Sequence, residues 1–111
     1  MIQERRKNPR FAVDVPVRLT AGSLTTHGQV RDICRDAVLV EVEAPQALDS
    51  TVTLLLELPG TGGPLRVVGR VVRLAPGTEG RHGAAVLFTD VPPAAEARID
   101  FFVALQTGHD A

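Results

Sequence analysis

The stretch that decides the fold is FAVDVPVRL, residues 11–19 of this 111-residue chain. Every second residue from Val13 to Leu19 is aliphatic, and the residues between them are charged or proline. This period of two predicts a β-strand with one buried face. Pro16 has no N–H to donate to a neighbouring strand, so we expect an edge position or a bulge there.

The rest of the chain repeats this pattern in short segments that are separated by turns. Residues 59–64 (PGTGGP) form a predicted hairpin connection, because glycine and proline permit or fix turn dihedrals. Gly69 lies inside a long strand pattern and predicts a bulge or a close backbone approach. The predicted strands after the first are residues 25–32, 38–43, 51–58, 65–74 and 82–88.

Beyond residue 92 the apolar spacing becomes helical. Ala95, Ile99, Phe102 and Val103 would lie on one stripe of a helix over residues 93–106. Six strands followed by one helix predict an all-β fold with one helix, a six-stranded antiparallel barrel closed by the C-terminal helix. We expect one domain over residues 11–107 and a tail at 108–111.

Three arginines punctuate the fifth predicted strand. Strict alternation puts Arg66 and Arg70 on one face of this strand and Arg73 on the other. The sequence favours a solvated barrel exterior over a binding stripe, although Arg66 and Arg70 could extend a basic surface.

The composition narrows the classes of function. A formal net charge of −1 argues against a nucleic-acid binder, and no apolar run approaches the ~18 residues of a membrane span. One cysteine and three scattered histidines give no metal-ligand spacing, and a Cys34–His nucleophile pair lacks an activating third group. We expect no catalytic activity, no metal and no cofactor. The lone cysteine and the absence of a leader pattern predict a cytoplasmic location.

The segment ahead of the first strand is strongly basic. Residues 1–10 contain four of the twelve Lys and Arg residues and are predicted to form a flexible arm. Arg6 and Arg10 have the spacing Arg-x-x-x-Arg. A guanidinium fork binds phosphate or the O6/N7 edge of guanine through two hydrogen bonds. By itself this spacing is more typical of a solvated arm.

A second notable segment is DICRDA, residues 32–37, predicted to be a tight turn between the second and third strands. Asp32 there suits either an Asx-turn or a ligand contact. An Arg-x-x-x-Arg pair followed by Asp-x-small-x-x-small at a strand turn resembles the PilZ family. The resemblance extends from Arg5 to about Leu105.

Membership of this family would imply a PilZ-type barrel that binds the second messenger cyclic di-GMP. By this resemblance Arg6 and Arg10 hold the nucleotide, Arg5 assists, and Asp32 reads a guanine. The resemblance also implies a stand-alone regulatory module that acts on a separate protein in motility, surface-polysaccharide or polarity machinery. The expected ligand-binding residues are Arg5, Arg6, Arg10, Asp32, Cys34 and Ala37.

Two positions depart from the family pattern. Cys34 replaces the expected serine, and a thiol is a weak donor, so the loss should be about 0.5–1.5 kcal/mol. Ala37 replaces the expected glycine; it would cost roughly 1–2 kcal/mol if its φ is positive, and its added methyl group could also obstruct the base. The sum predicts binding weakened about 30- to 150-fold. The alternative is a degenerate PilZ domain that binds no nucleotide and serves as a protein–protein adaptor.

Overall fold

The fold is a closed barrel followed by one helix. A computed structural model describes residues 10–108 of the chain. Every neighbouring pair of strands is antiparallel, in the closed order β1-β2-β3-β6-β5-β4. This confirms the predicted six-stranded antiparallel barrel with a C-terminal helix. The elements are β1 (Phe11–Ala21), β2 (Leu24–Ile33), β3 (Ala37–Val42), β4 (Thr51–Leu56), β5 (Leu65–Pro76), β6 (His82–Asp90) and α1 (Pro93–Gly108).

The hydrophobic core fills the interior of the barrel and consists of the side chains that face inward from each strand. On β1 the alternation gives buried Val15, Val17 and Leu19, with exposed residues between them. The helix contributes the predicted stripe of Ala95, Ile99, Phe102 and Val103 to the same core. Since each large apolar side chain contributes about 1.5–3 kcal/mol on burial, this stripe fixes α1 against the barrel.

Bulges interrupt the strand pairing at several points. In β1 the register with β2 shifts between Ala12 and Val15, directly before Pro16, which agrees with the expected irregularity. At Gly69 the register between β5 and β6 also shifts, and an added Cβ would lie 2.6 Å from a Val86 methyl. Both features expected of Gly69, the bulge and the close approach, are therefore present.

A further bulge in β5 overturns the predicted placement of Arg73. The register shifts between Val71 and Arg73, so that Arg73 pairs with Ala85 while Arg70 pairs with Leu87. Ala85 and Leu87 alternate with fully buried residues of β6 and hence face outward. Arg73 lies on the same exterior face as Arg70, and the prediction of opposite faces was wrong because the bulge adds one residue to the period of two.

Candidate functional site

The pairing of β1 with β2 brings together two segments that are far apart in sequence. Ala12 lies opposite Asp32 in this ladder, which puts Arg10 at the same end of the barrel. The Arg10 Nε is 3.5 Å from the Asp32 Oδ2, and the two side chains are 39% and 22% exposed. The described half of the Arg-x-x-x-Arg pair thus contacts the acidic residue of the turn. We call this pair the Arg10–Asp32 site.

One oxygen of the Asp32 carboxylate has no hydrogen-bond partner in the described part of the chain. Asp32 Oδ1 is buried and accepts no hydrogen bond from any residue in the described range 10–108. A buried acceptor without a donor costs about 1–3 kcal/mol, so such an atom is unfavourable unless something else supplies the donor. The site therefore offers an unused anionic acceptor beside a half-exposed guanidinium group.

The turn that follows β2 is braced from within by Cys34. Its backbone N–H donates to the Ala37 carbonyl at 2.9 Å, and its thiol donates to Asp36 Oδ1 at 3.0 Å. Only 5% of Cys34 is exposed. Burial raises the pKa of the Cys34 thiol, and the hydrogen bond and charge of Asp36 raise it further. Cys34 is a neutral, inward-facing thiol, and sequence reasoning missed its partner Asp36.

Ala37 begins β3 without backbone strain. It pairs with Leu87 in the β3–β6 ladder and is half-buried. Among residues 10–108 the non-glycine residues with positive φ are Asp49 and Glu79, so Ala37 has an ordinary φ. The condition for the expected strain of 1–2 kcal/mol is not met, and that part of the predicted loss of affinity does not arise.

A second arginine next to the site is already neutralised. Arg31 sits in the bulge between Val30 and Asp32, and it pairs with Asp14 at 3.1 Å and Glu41 at 3.4 Å. Burial tends to raise the pKa of Glu41, but hydrogen bonds from Thr78 and Arg31, with the charge of Arg31, hold it below the usual 4.5. Sequence periodicity could not indicate this cluster, because the bulge changes which residues are neighbours.

The turn also contacts the helix. Arg35 Nε lies 3.5 Å from Asp100 Oδ1 on α1, and both side chains are about half exposed. The backbone N–H of Phe88 on β6 donates to the Asp36 carbonyl at 2.8 Å. The turn is thus connected both to the helix and to β6. Arg5 and Arg6, which are also predicted to bind ligand, lie outside the described residues, and their roles stay predictions.

Metal-ligand clusters and membrane-spanning helices do not occur in the described range. Residues 10–108 contain no group of three or more His, Cys, Asp or Glu that could hold a metal ion. The helix of this range is not long and apolar enough to cross a membrane.

The architecture defines a class of small antiparallel β-barrel domain with a single C-terminal helix. The chain matches the PilZ domain family over residues 4–105 and belongs to that family. No curated protein matches it in a sequence comparison.

Solved PilZ structures share this fold at low sequence identity. The Bacillus subtilis inhibitor of motility MotI/DgrA has a TM-score of 0.79 and 11% identity over 98% of this chain and 55% of its own. The PilZ domain of YcgR from Escherichia coli, solved with c-di-GMP, has a TM-score of 0.74 and 10% identity, covering 96% and 95%. The K. pneumonia MrkH–c-di-GMP complex has a TM-score of 0.75 and 14% identity, covering 99% and 57%. The chain therefore spans little more than half of MotI and MrkH.

Proposed function

We propose that this chain is a regulatory module without catalytic activity that binds cyclic di-GMP at the Arg10–Asp32 site. The observation that carries the proposal is the unpartnered oxygen of Asp32 beside Arg10. The Watson–Crick edge of guanine presents N1–H and N2–H donors side by side. A carboxylate that accepts both hydrogen bonds would satisfy Oδ1, and hydrogen bonds to a charged group contribute about 1.5–3 kcal/mol.

Arg10 supplies the complementary positive charge. Its guanidinium group is 39% exposed, so its pairing with Asp32 at 3.5 Å is worth about 1 kcal/mol or less. The ligand can therefore take over one partner or both at little cost. Arg6 and Arg5 would add further forks for phosphate and the guanine O6/N7 edge.

The expected affinity is higher than the sequence alone suggests. Because Ala37 has no positive φ, the strain at this position is absent, although its added methyl group remains a steric departure from the family pattern. The thiol at Cys34 costs about 0.5–1.5 kcal/mol. This corresponds to a weakening of about 2- to 12-fold. The fold shared with the c-di-GMP-bound PilZ domain of YcgR supports the same ligand. The signal would then leave through contact with a separate protein, and the buried, reduced Cys34 agrees with the cytoplasm.

One observation favours the alternative, an adaptor that binds no nucleotide. The Cys34 thiol donates into the turn and is 5% exposed, so it offers a ligand no hydrogen bond in this conformation. In the adaptor interpretation the barrel would present a fixed surface to its partner.

Isothermal titration with cyclic di-GMP separates the two functions. We expect saturable binding by the wild type and its loss in Arg10→Ala. The matched control is Arg18→Ala, an exposed arginine of β1 that makes no ion pair within residues 10–108. Absence of heat with high micromolar ligand refutes the receptor and leaves the adaptor.

A further inference from the structure

The exterior face of β5 carries an unusual set of side chains. The bulge puts both Val72 and Arg73 opposite Ala85, so that two residues of β5 share one partner and lie on the same outward side. They continue the line of Arg66, Val68 and Arg70, in which arginine and valine alternate. We call this surface the arginine face.

The three arginines of this face are not neutralised. Within residues 10–108 the ion pairs engage Arg10, Arg31 and Arg35, and none involves an arginine of β5. The cross-strand partners of β5 arginines are uncharged: Leu55, Thr51, Leu87 and Ala85. Asp90 pairs with Val68, and the Asp49 N–H donates to Val71, but neither carboxylate lies within 4.0 Å of these guanidinium groups. The face thus keeps a positive field.

Exposed aliphatic side chains also lie on β5 and on the segment hydrogen-bonded to it. Six large hydrophobic residues of the described range are exposed, and three of them are Leu48 at 54%, Val72 at 42% and Leu74 at 48%. Val72 belongs to the arginine face. Leu74 pairs with the buried Ala84 and lies on the other side of β5, and Leu48 precedes Asp49, whose backbone N–H donates to the Val71 carbonyl. Arginine beside exposed aliphatic groups is typical of protein interfaces, whereas nucleic-acid interfaces are more polar and much more strongly positive.

We propose that the arginine face is the docking surface for a partner protein that presents acidic side chains around an apolar patch. This inference rests on the proposed function, in which the signal passes to a separate protein. A second copy of this chain is disfavoured, because a two-fold contact would bring the same arginines face to face. Two strands, β3 and β6, lie between Asp32 on β2 and the face on β5, so ligand and partner can bind together.

The test uses the full chain and a fluorescein-labelled synthetic peptide in which glutamate is interspersed with leucine. Fluorescence anisotropy is measured for the wild type, for the variant R66Q/R70Q/R73Q and for the control R18Q/R81Q. The control removes the exposed Arg18 and the partly buried Arg81, neither of which makes an ion pair in the described range. The same titrations use a peptide with glutamine in place of glutamate and a single-stranded oligonucleotide.

We expect the acidic peptide to bind the wild type and to lose about tenfold in affinity in the β5 variant, while the control changes about twofold or less. The glutamine peptide should bind more weakly. Three outcomes would each overturn the proposal. The acidic peptide does not bind, both variants lose the same amount of affinity for it, or the oligonucleotide binds more tightly than the peptide through the same arginines. Titration of the β5 variant with cyclic di-GMP tests the nucleotide site separately, and its affinity should equal that of the wild type.

Discussion

Asp32→Ala should affect ligand binding and stability in opposite directions. The substitution removes a buried oxygen that has no donor among residues 10–108, which relieves about 1–3 kcal/mol. It also removes a half-exposed ion pair with Arg10, which contributes about 0.2–1 kcal/mol. Both residues are poor strand formers, so the strand itself changes little. The free energy of unfolding should rise by between about zero and 2.8 kcal/mol.

Binding should fall by a larger factor. Loss of hydrogen bonds from guanine to a carboxylate costs about 1.5–3 kcal/mol, or roughly 10- to 150-fold in Kd. Urea denaturation gives the stability of the free protein, and isothermal titration with cyclic di-GMP gives the affinity. The matched control is Asp14→Ala, whose carboxylate is 70% exposed and pairs with Arg31. The control should change both quantities little.

The two measurements refute different steps of the reasoning. A destabilisation of more than about 1 kcal/mol in Asp32→Ala would mean that Oδ1 has a donor in solution. Unchanged affinity in a variant of equal stability would mean that Asp32 does not read the nucleotide.

Three further predictions concern the turn, the acidic cluster and the bulge. In the receptor interpretation the ligand draws the side chain of residue 34 away from Asp36, so Cys34→Ser should tighten cyclic di-GMP binding by about 2- to 12-fold in isothermal titration, and no gain would favour the adaptor. Ala37→Gly should add little because no strain is relieved; a large gain from it alone would mean that the methyl group obstructs the ligand. The folded-state pKa of Glu41 lies below 4.5, so the stability that this carboxylate contributes is present above pH 4.5 and is lost as the pH falls through the folded pKa. In an acid titration, Glu41→Gln should therefore lose less of its free energy of unfolding below pH 4.5 than the wild type does. An unchanged curve would count against the Arg31 and Thr78 contacts. Gly69→Ala should lower the free energy of unfolding, measured by urea denaturation, by about 1–3 kcal/mol, because the added Cβ would lie 2.7 Å from the Leu87 carbonyl oxygen. The control is Gly62→Ala: the added Cβ has no atom within 4 Å, so this variant measures the cost of the positive φ alone.

The sequence predicts the barrel well because its signal is periodic. Alternation in β1 and the helical stripe from Ala95 to Val103 each depend on many residues, so a single exception does not hide them. The resemblance located Arg10 and Asp32, which the structure brings together. The sequence does not show which side chains face inward and which face outward beyond a bulge.

Arg73 and Arg31 illustrate this limit. Each lies at a bulge, where one extra residue changes the facing of everything beyond it. Gly69 reveals one bulge through its composition, whereas the bulge at Val71–Arg73 contains only residues that suit a regular strand. The φ of Ala37 could not be predicted for a related reason. A glycine in the family pattern shows that a positive φ is tolerated at this position, but not that the backbone of this chain adopts it.

The separation of the Arg10–Asp32 site from the arginine face limits how a ligand can influence a partner. In the closed barrel β5 lies three strand spacings from Asp32 on β2 and two from Arg10 at the start of β1, about 14 Å and about 10 Å of sheet. Both exceed the Debye length of about 8 Å at physiological salt, so the charge of a bound nucleotide is largely screened at β5. A hydrogen-bonded connection also links the turn to β5: the Asp36 carbonyl accepts from Phe88, and Phe88 pairs with Gly69, the residue before Arg70. Because the packed barrel interior deforms little, this route through β6 and the bulge at Gly69 is a candidate path for coupling between the proposed ligand and the proposed partner.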